Sequence, residues 1–285
     1  MPKPQLAGLT LLLGLGAVAC QPPGAAAPVS PSPQATPPRR VVSLVPSATE
    51  LLYEVGAGPR LVGVTVNDDF PAQVQSLPKV GDQTIDPERL LSLRPDLVVL
   101  DSEFNGDAPK YRKLGLPVLE LRSKRLSDIS ANLRLLGPRL SLADSAEAAA
   151  SRFEDSLSQV ARLDEPRTVF IEIWGSPLMT VGTDSLPDDL LQQLGLKNAY
   201  ADQKGYFQVD PEDVVKRRPG IIILPSAKPT DSSTAAKLLA RAGVDTKVIA
   251  LDGDLFTNPS PRVLQGLKIL SEELRKAHPV AGKAR

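Results

Sequence analysis

Two stretches of this chain are near copies of one another. Ile85-Asp86-Pro87-Glu88-Arg89-Leu90-Leu91-Ser92-Leu93-Arg94-Pro95-Asp96-Leu97-Val98-Val99-Leu100 recurs as Val209-Asp210-Pro211-Glu212-Asp213-Val214-Val215-Lys216-Arg217-Arg218-Pro219-Gly220-Ile221-Ile222-Ile223-Leu224. The offset is 124 residues from Asp86 to Asp210 and again from Leu100 to Leu224. In each copy an Asp suited to capping a helix precedes a Pro at the first helical position, where the missing N–H costs nothing. A Glu follows in the first turn, where the helix dipole favours it. An Arg-Pro pair then stops the helix, and a continuous apolar, β-branched run reads as a strand buried on both faces. Two such helix–strand units so far apart imply two similar lobes rather than a solenoid.

The first 19 residues read as a signal peptide: Lys3 is their one charge, and Leu6 to Val18 is apolar but too short to span a bilayer. Cys20 follows Ala17-Val18-Ala19 and is the chain's single cysteine, so no internal disulfide is available. Its position resembles the bacterial lipobox, in which the thiol is acylated and becomes the new N-terminus; cleavage by an ordinary signal peptidase after Ala19 is the alternative. Several acyl chains would hold the protein stably on a membrane surface. Residues 20–38 form a Pro-rich tether, with seven Pro and no charge over residues 21–38.

The remaining body, roughly 240 residues, is long enough for two lobes of ordinary domain size. Lys plus Arg and Asp plus Glu balance at 33 each, with no basic stripe, which argues against a nucleic-acid partner. The lone His278 and the lone Cys cannot build a zinc site of the usual kind, and no metal or resident cofactor is expected. An extracellular hydrolase lacks support too: there is no Gly-x-Ser-x-Gly elbow, and the one His lies beyond the last helix.

Strand and helix alternate along this body. Ser47-Ala48-Thr49-Glu50 reads as a capping box opening a helix to Glu54. Ala143 to Leu163 carries apolar residues at steps of three and four (Ala146, Ala149, Phe153, Leu157, Val160) with no Gly or Pro, which predicts one long helix. The expected architecture is α/β: an N-terminal lobe (39–142), a connecting helix (143–164) and a C-terminal lobe (165–285). Each lobe has a mainly parallel sheet flanked by helices, with a ligand cleft between the lobes.

Arg40 to Glu50, Val62-Gly63-Val64, Asp69-Phe70-Pro71, both repeats, Asp254-Leu255-Phe256 and Ser260-Pro261-Arg262 resemble the helical-backbone periplasmic binding proteins. These are substrate receptors of ABC importers for cobalamin, siderophores and haem, and the likeness spans residues 39 to 277, nearest to the cobalamin receptors. It implies a non-enzymatic, monomeric receptor outside the cytoplasm, in the periplasm or at the cell surface. Its partners would be a membrane-spanning dimer with its ATPase and a corrinoid, or alternatively a siderophore or haem. The ligand would lie among loops at the strand ends: Pro46, Ser47, Asn67, Asp69, Phe70, Gln83, Asp101, Phe104, Trp174, Tyr206, Phe207, Asp254, Leu255 and Phe256. Phe70 and Phe256 could equally plug loop bases, and the loop acids could be solvated caps. Where cobalamin receptors carry several Trp, this chain has Gln83, Asp101, Leu255 and Tyr206, and Asn67 stands where they carry a Tyr, which makes the cleft more polar. Of the basic residues only Lys204 falls in these loops, which disfavours an anionic siderophore. The family's docking glutamates match Glu88 and Glu212, which also suit simple dipole partners of their helices.

Overall fold

The protein is described here by a computed structural model covering residues 36–82, 84–104, 108–163, 166–225 and 233–276. The signal segment, Cys20, Gln83 and His278 lie outside the described residues. The N-terminal lobe comprises Val41–Ser43 (β1), Pro46–Glu54 (α1), Leu61–Gly63 (β2), Pro87–Ser92 (α2), Leu97–Asp101 (β3), Ala108–Lys113 (α3), Val118–Leu121 (β4) and Leu126–Arg139 (α4). Its strands pair in parallel in the order β2-β1-β3-β4.

Ala143–Ser158 (α5) then leads to the C-terminal lobe. That lobe comprises Thr168–Ile171 (β5), Trp174–Gly175 (β6), Leu178–Val181 (β7), Leu186–Leu194 (α6), Lys197–Asn198 (β8), Tyr206–Gln208 (β9) and Pro211–Arg217 (α7). It continues through Ile221–Pro225 (β10), Thr234–Arg241 (α8), Lys247–Leu251 (β11), Asp254–Thr257 (α9) and Val263–Lys276 (α10). Its main sheet is also parallel, in the order β11-β10-β5-β8.

The two sheets are topological copies. Aligning β3 with β10 and β4 with β11 places β1 on β5 and β2 on β8, so each lobe has its repeated strand in the same place. The repeat persists down to the backbone. Asp86 Oδ1 accepts from the amides of Glu88 and Arg89, and Asp210 Oδ1 accepts from that of Glu212. Arg94 and Arg218, each just before its Pro, sit in the left-handed region at φ 46° and 47°. A β-branched residue could not take that conformation at comparable cost.

Alternation along the strands sorts two layers of core. Val42, Leu44, Val98 and Leu100 pack outward against Ala108 and Tyr111 of α3, and Phe170 and Ile222 pack outward against Tyr200, Ala235 and Leu239. Val41, Leu97, Val99, Val169, Ile171, Ile221 and Ile223 face inward into one core that includes residues of α1, α4, α5, α6 and α10. Each such side chain contributes roughly 1.5–3 kcal/mol, so this shared layer binds the lobes into a unit. The layer closes tightly at Gly266 of α10. A Cβ there would stand 2.1 Å from the carbonyl oxygen of Leu255, so α9 rests directly on the glycine backbone.

Two local expectations are corrected. The connecting helix was expected to run from Ala143 to Leu163, within a connecting segment of 143–164, but it ends at Ser158, where the Ser158 hydroxyl donates to the carbonyl of Asp155 at 2.6 Å. The following amides, Gln159 and Val160, bond three residues back, tightening the last turn before β-branched Val160. The apolar stripe itself packs into the inner core, with Ala146, Ala149 and Phe153 buried and Leu157 and Val160 half-buried. The capping box at Ser47 does not form either. Val45 is the N-cap of α1 and Pro46 its first residue, so Ser47 already lies inside the helix, buried, its hydroxyl without a hydrogen-bond partner.

Candidate functional site

In parallel sheets, ligands collect beyond the carboxyl ends of the strands. A cavity of about 460 Å³ opens there between the lobes. From the N-terminal lobe, Glu103 and Phe104 follow β3, and Ser123 and Lys124 follow β4. From the C-terminal lobe come Asp184, Ser185 and Leu186 at the start of α6, Lys204, Gly205 and Tyr206 leading into β9, and Thr257 of α9.

An ion bridge crosses this cavity. Lys124 Nζ lies 3.1 Å from Asp184 Oδ2 and 3.4 Å from Glu103 Oε2. Both ends are anchored. The amides of Lys124 and Arg125 each donate to Asp128 Oδ2 at 2.9 Å at the start of α4. Asp184 is held at φ 60° immediately before Ser185, whose hydroxyl accepts from the amide of Asp188. The bridge raises the Lys124 pKa, through Asp184 first, and lowers that of Asp184. Beside it the amide of Leu126 donates to Asp189 Oδ2 of α6 at 2.9 Å, a second bond between lobes.

A second interlobe junction centres on Glu50 of α1. Its Oε1 accepts from Asn258 Nδ2 at 2.8 Å and Arg262 Nη1 at 2.9 Å, and its Oε2 from Ser260 Oγ at 2.7 Å. The Arg262 guanidinium in turn lies 4.2 Å over the Phe70 ring. Asp254 belongs to the same edge: partial desolvation of its carboxyl, then the nearby charges of Asp69 and Asp252, raise its pKa although the residue is exposed to solvent.

The expected site residues fall into several groups. Phe104 and Tyr206 line the cavity from opposite lobes, 53% and 47% exposed. Asp101 is fully buried beneath it: Oδ1 accepts from the amide of Glu103 at 2.8 Å, and burial raises its pKa despite the nearby Ser123 hydroxyl. Asp69, Phe70 and Asp254 are exposed along the Glu50–Arg262 edge. Pro46 and Ser47 open α1, and Asn67 donates to Asp82 Oδ1 at 2.5 Å across the neighbouring loops.

The aromatics of β6 and β9 part company. Register in the small antiparallel sheet β6-β7-β9 pairs Trp174 with Met179 and Tyr206 with Val181, whereas Phe207 pairs with Thr180 on the opposite face. Trp174, 62% exposed, therefore shares its sheet face with Tyr206. Phe207 turns away and packs edge-on against Tyr200, ring centroids 5.5 Å apart. Leu255 and Phe256 are buried, Phe256 within the shared inner core.

Sequence reasoning missed Lys124, Asp184 and Ser123. Each follows a strand by two or three residues, and only the order of strands in the sheets reveals that these ends meet.

The periplasmic binding protein family matches residues 41–247. The chain belongs to that family, the substrate-binding proteins of transporters. It is 31% identical over 256 residues to YvrC of Bacillus subtilis (strain 168), an uncharacterized ABC transporter substrate-binding lipoprotein; the match covers 83% of this chain and 80% of that one. Likeness to a vitamin B12-binding protein of Pectobacterium atrosepticum is 31% over 249 residues, covering 83% and 88% of the two chains. Among solved structures, the periplasmic vitamin B12-binding protein BtuF of Vibrio cholerae superposes with a TM-score of 0.74 at 26% identity, covering 85% of this chain and 99% of that one. The haem-binding protein RhuT of Roseiflexus sp. RS-1 shares the fold at 22% identity, with a TM-score of 0.71 and coverage of 84% and 98%.

Proposed function

We propose that this chain is the substrate-binding lipoprotein of an ABC importer, anchored outside the cytoplasm through Cys20, and that it captures a corrinoid between its lobes. The lobes then correspond to residues 39–142 and 165–285, linked through 143–164. Glu88 and Glu212 seat the loaded receptor on a two-fold membrane permease.

One observation carries the ligand class. Two aromatic rings, Phe104 and Tyr206, stand exposed on opposite walls of a cavity whose interlobe cation, Lys124, is already matched by carboxylates. A flat apolar macrocycle edged with neutral amides recovers the hydrophobic free energy of those rings and asks for no free cation. A ferric siderophore rich in carboxylates would ask for several. The named binding of the vitamin B12 relatives supports the same reading.

The test is a parallel titration of the mature protein with cyanocobalamin, hemin and ferrichrome, following Trp174, the chain's one tryptophan. We expect cyanocobalamin to bind with micromolar or tighter affinity, about −8 kcal/mol or better, and to quench the tryptophan. Tight binding of hemin or ferrichrome without cyanocobalamin would overturn the ligand.

A further inference from the structure

We infer that Glu103 and Asp184 set the charge selectivity of the interlobe cleft, by clamping Lys124 from opposite lobes and so biasing the site against carboxylate-bearing tetrapyrroles. The inference deepens the corrinoid reading and rests on it. Its ground is the bridge across the cavity: Lys124 Nζ sits 3.1 Å from Asp184 Oδ2 and 3.4 Å from Glu103 Oε2, and all three residues line the space. Among the described residues the lining brings one further cation, Lys204, so the carboxylates and ammonium groups of that lining cancel.

A neutral ring edged with amides meets both needs of such a bridge. Its N–H groups donate to the spare oxygens of Glu103 and Asp184, and its carbonyls accept from the Lys124 ammonium, which has three donors. A propionate meets the opposite. To reach Lys124 it must displace one carboxylate or lie beside it, and like charges held that close in a partly desolvated cleft repel strongly. The bond from the Lys124 amide to Asp128 fixes where this side chain leaves the backbone, within reach of both acids. Selectivity thus comes from two acids that leave the lysine spoken for, not from a lack of positive charge.

The test compares wild type with Glu103→Gln/Asp184→Asn and with the triple variant that adds Lys124→Met. The readout is the ratio of the hemin to the cyanocobalamin dissociation constant. Freeing Lys124 in the double variant should move this ratio toward hemin by about tenfold or more, near 1.4 kcal/mol. Removing Lys124 in the triple variant should cancel most of that gain, Lys204 leaving the cleft one positive charge above wild type, and raising the salt should erode the gain. An unmoved ratio in the double variant, or a gain undiminished by loss of Lys124, overturns the inference.

If wild type binds no cyanocobalamin, the corrinoid reading falls by itself. The charge role is then judged on hemin alone, by the same gain of about tenfold and its loss with Lys124→Met. Melting curves establish that each variant folds. Should the double variant fail to fold, Asp184→Asn alone must show a smaller shift in the same direction, and no shift there sinks the idea.

Discussion

Glu50 joins the two lobes through one carboxylate. It is 4% exposed and bonded to three side chains of the segment Asn258 to Arg262. Burial, the largest influence, lifts its pKa above the usual carboxylate value, although Ser260 and Arg262 pull the other way. A carboxyl whose folded pKa is raised stabilises the fold most below its unfolded pKa, and that contribution is lost as pH rises through the folded value. Glu50→Ala should cost roughly 2–3 kcal/mol, under the 3–5 of a fully enclosed pair because Arg262 keeps some contact with water. Glu50→Gln should flatten the decline in stability as pH rises above about 4.5, measured by denaturant unfolding. An unchanged pH slope in that variant would assign the effect to another acid. Local sequence pattern gave Glu50 the wrong partner, a capping Ser47, because its true partners lie 208 to 212 residues away. No short-range motif carries that information.

Between elements, α4 and α5 are stapled by Arg134. Its guanidinium forks onto Glu147 at 2.9 Å and Glu154 at 2.6–2.9 Å, one and three turns along α5. The Arg134 bonds come first among the causes that hold the Glu154 pKa down to about 2, and they lower that of Glu147. Depressed carboxylates stabilise above their unfolded pKa, near 4.5, and lose that contribution as pH falls toward about 2. All three side chains are well exposed, so the effect is screened and modest. We expect Arg134→Met to melt lower than wild type at pH 5 and to converge with it near pH 2. A constant difference across that range would show that lost packing, not charge, is responsible.

The elements themselves were largely legible from sequence, and for a physical reason. Continuous β-branched runs and Pro or Gly stops marked most strands of both main sheets, β8 excepted, and the two repeated runs fall on Leu97–Asp101 and Ile221–Pro225. The three-stranded sheet β6-β7-β9 was read as loop, since strands of two to four residues carry too little alternation to register. That gap cost the site most. Only strand pairing separates Tyr206, facing the cavity, from its neighbour Phe207, facing the core.

At the scale of the whole molecule, the duplicated sheet order sets one capped helix, α2 or α7, in the equivalent place on each lobe. Glu88 and Glu212 are exposed on the first turns of those helices, and neither lines the interlobe cavity. A receptor with one carboxylate per lobe fits a two-fold partner, each lobe meeting one subunit, and charge complementarity sets register and on-rate. The double change Glu88→Ala/Glu212→Ala should therefore weaken affinity for the permease by about 2–5 kcal/mol if each glutamate meets an arginine across the interface. Substrate titration should be unaltered, because the cavity residues are untouched. If the glutamates serve only as dipole partners, each change costs about 0.3–1 kcal/mol of stability and leaves transport intact. The capping aspartates, Asp86 and Asp210, separate the two accounts further: their amide bonds to the helix starts predict that Asp→Ala there lowers the melting point without repelling the permease. Permease affinity and melting temperature, measured on both pairs of variants, decide between them, and undiminished affinity in the glutamate pair would remove the docking role.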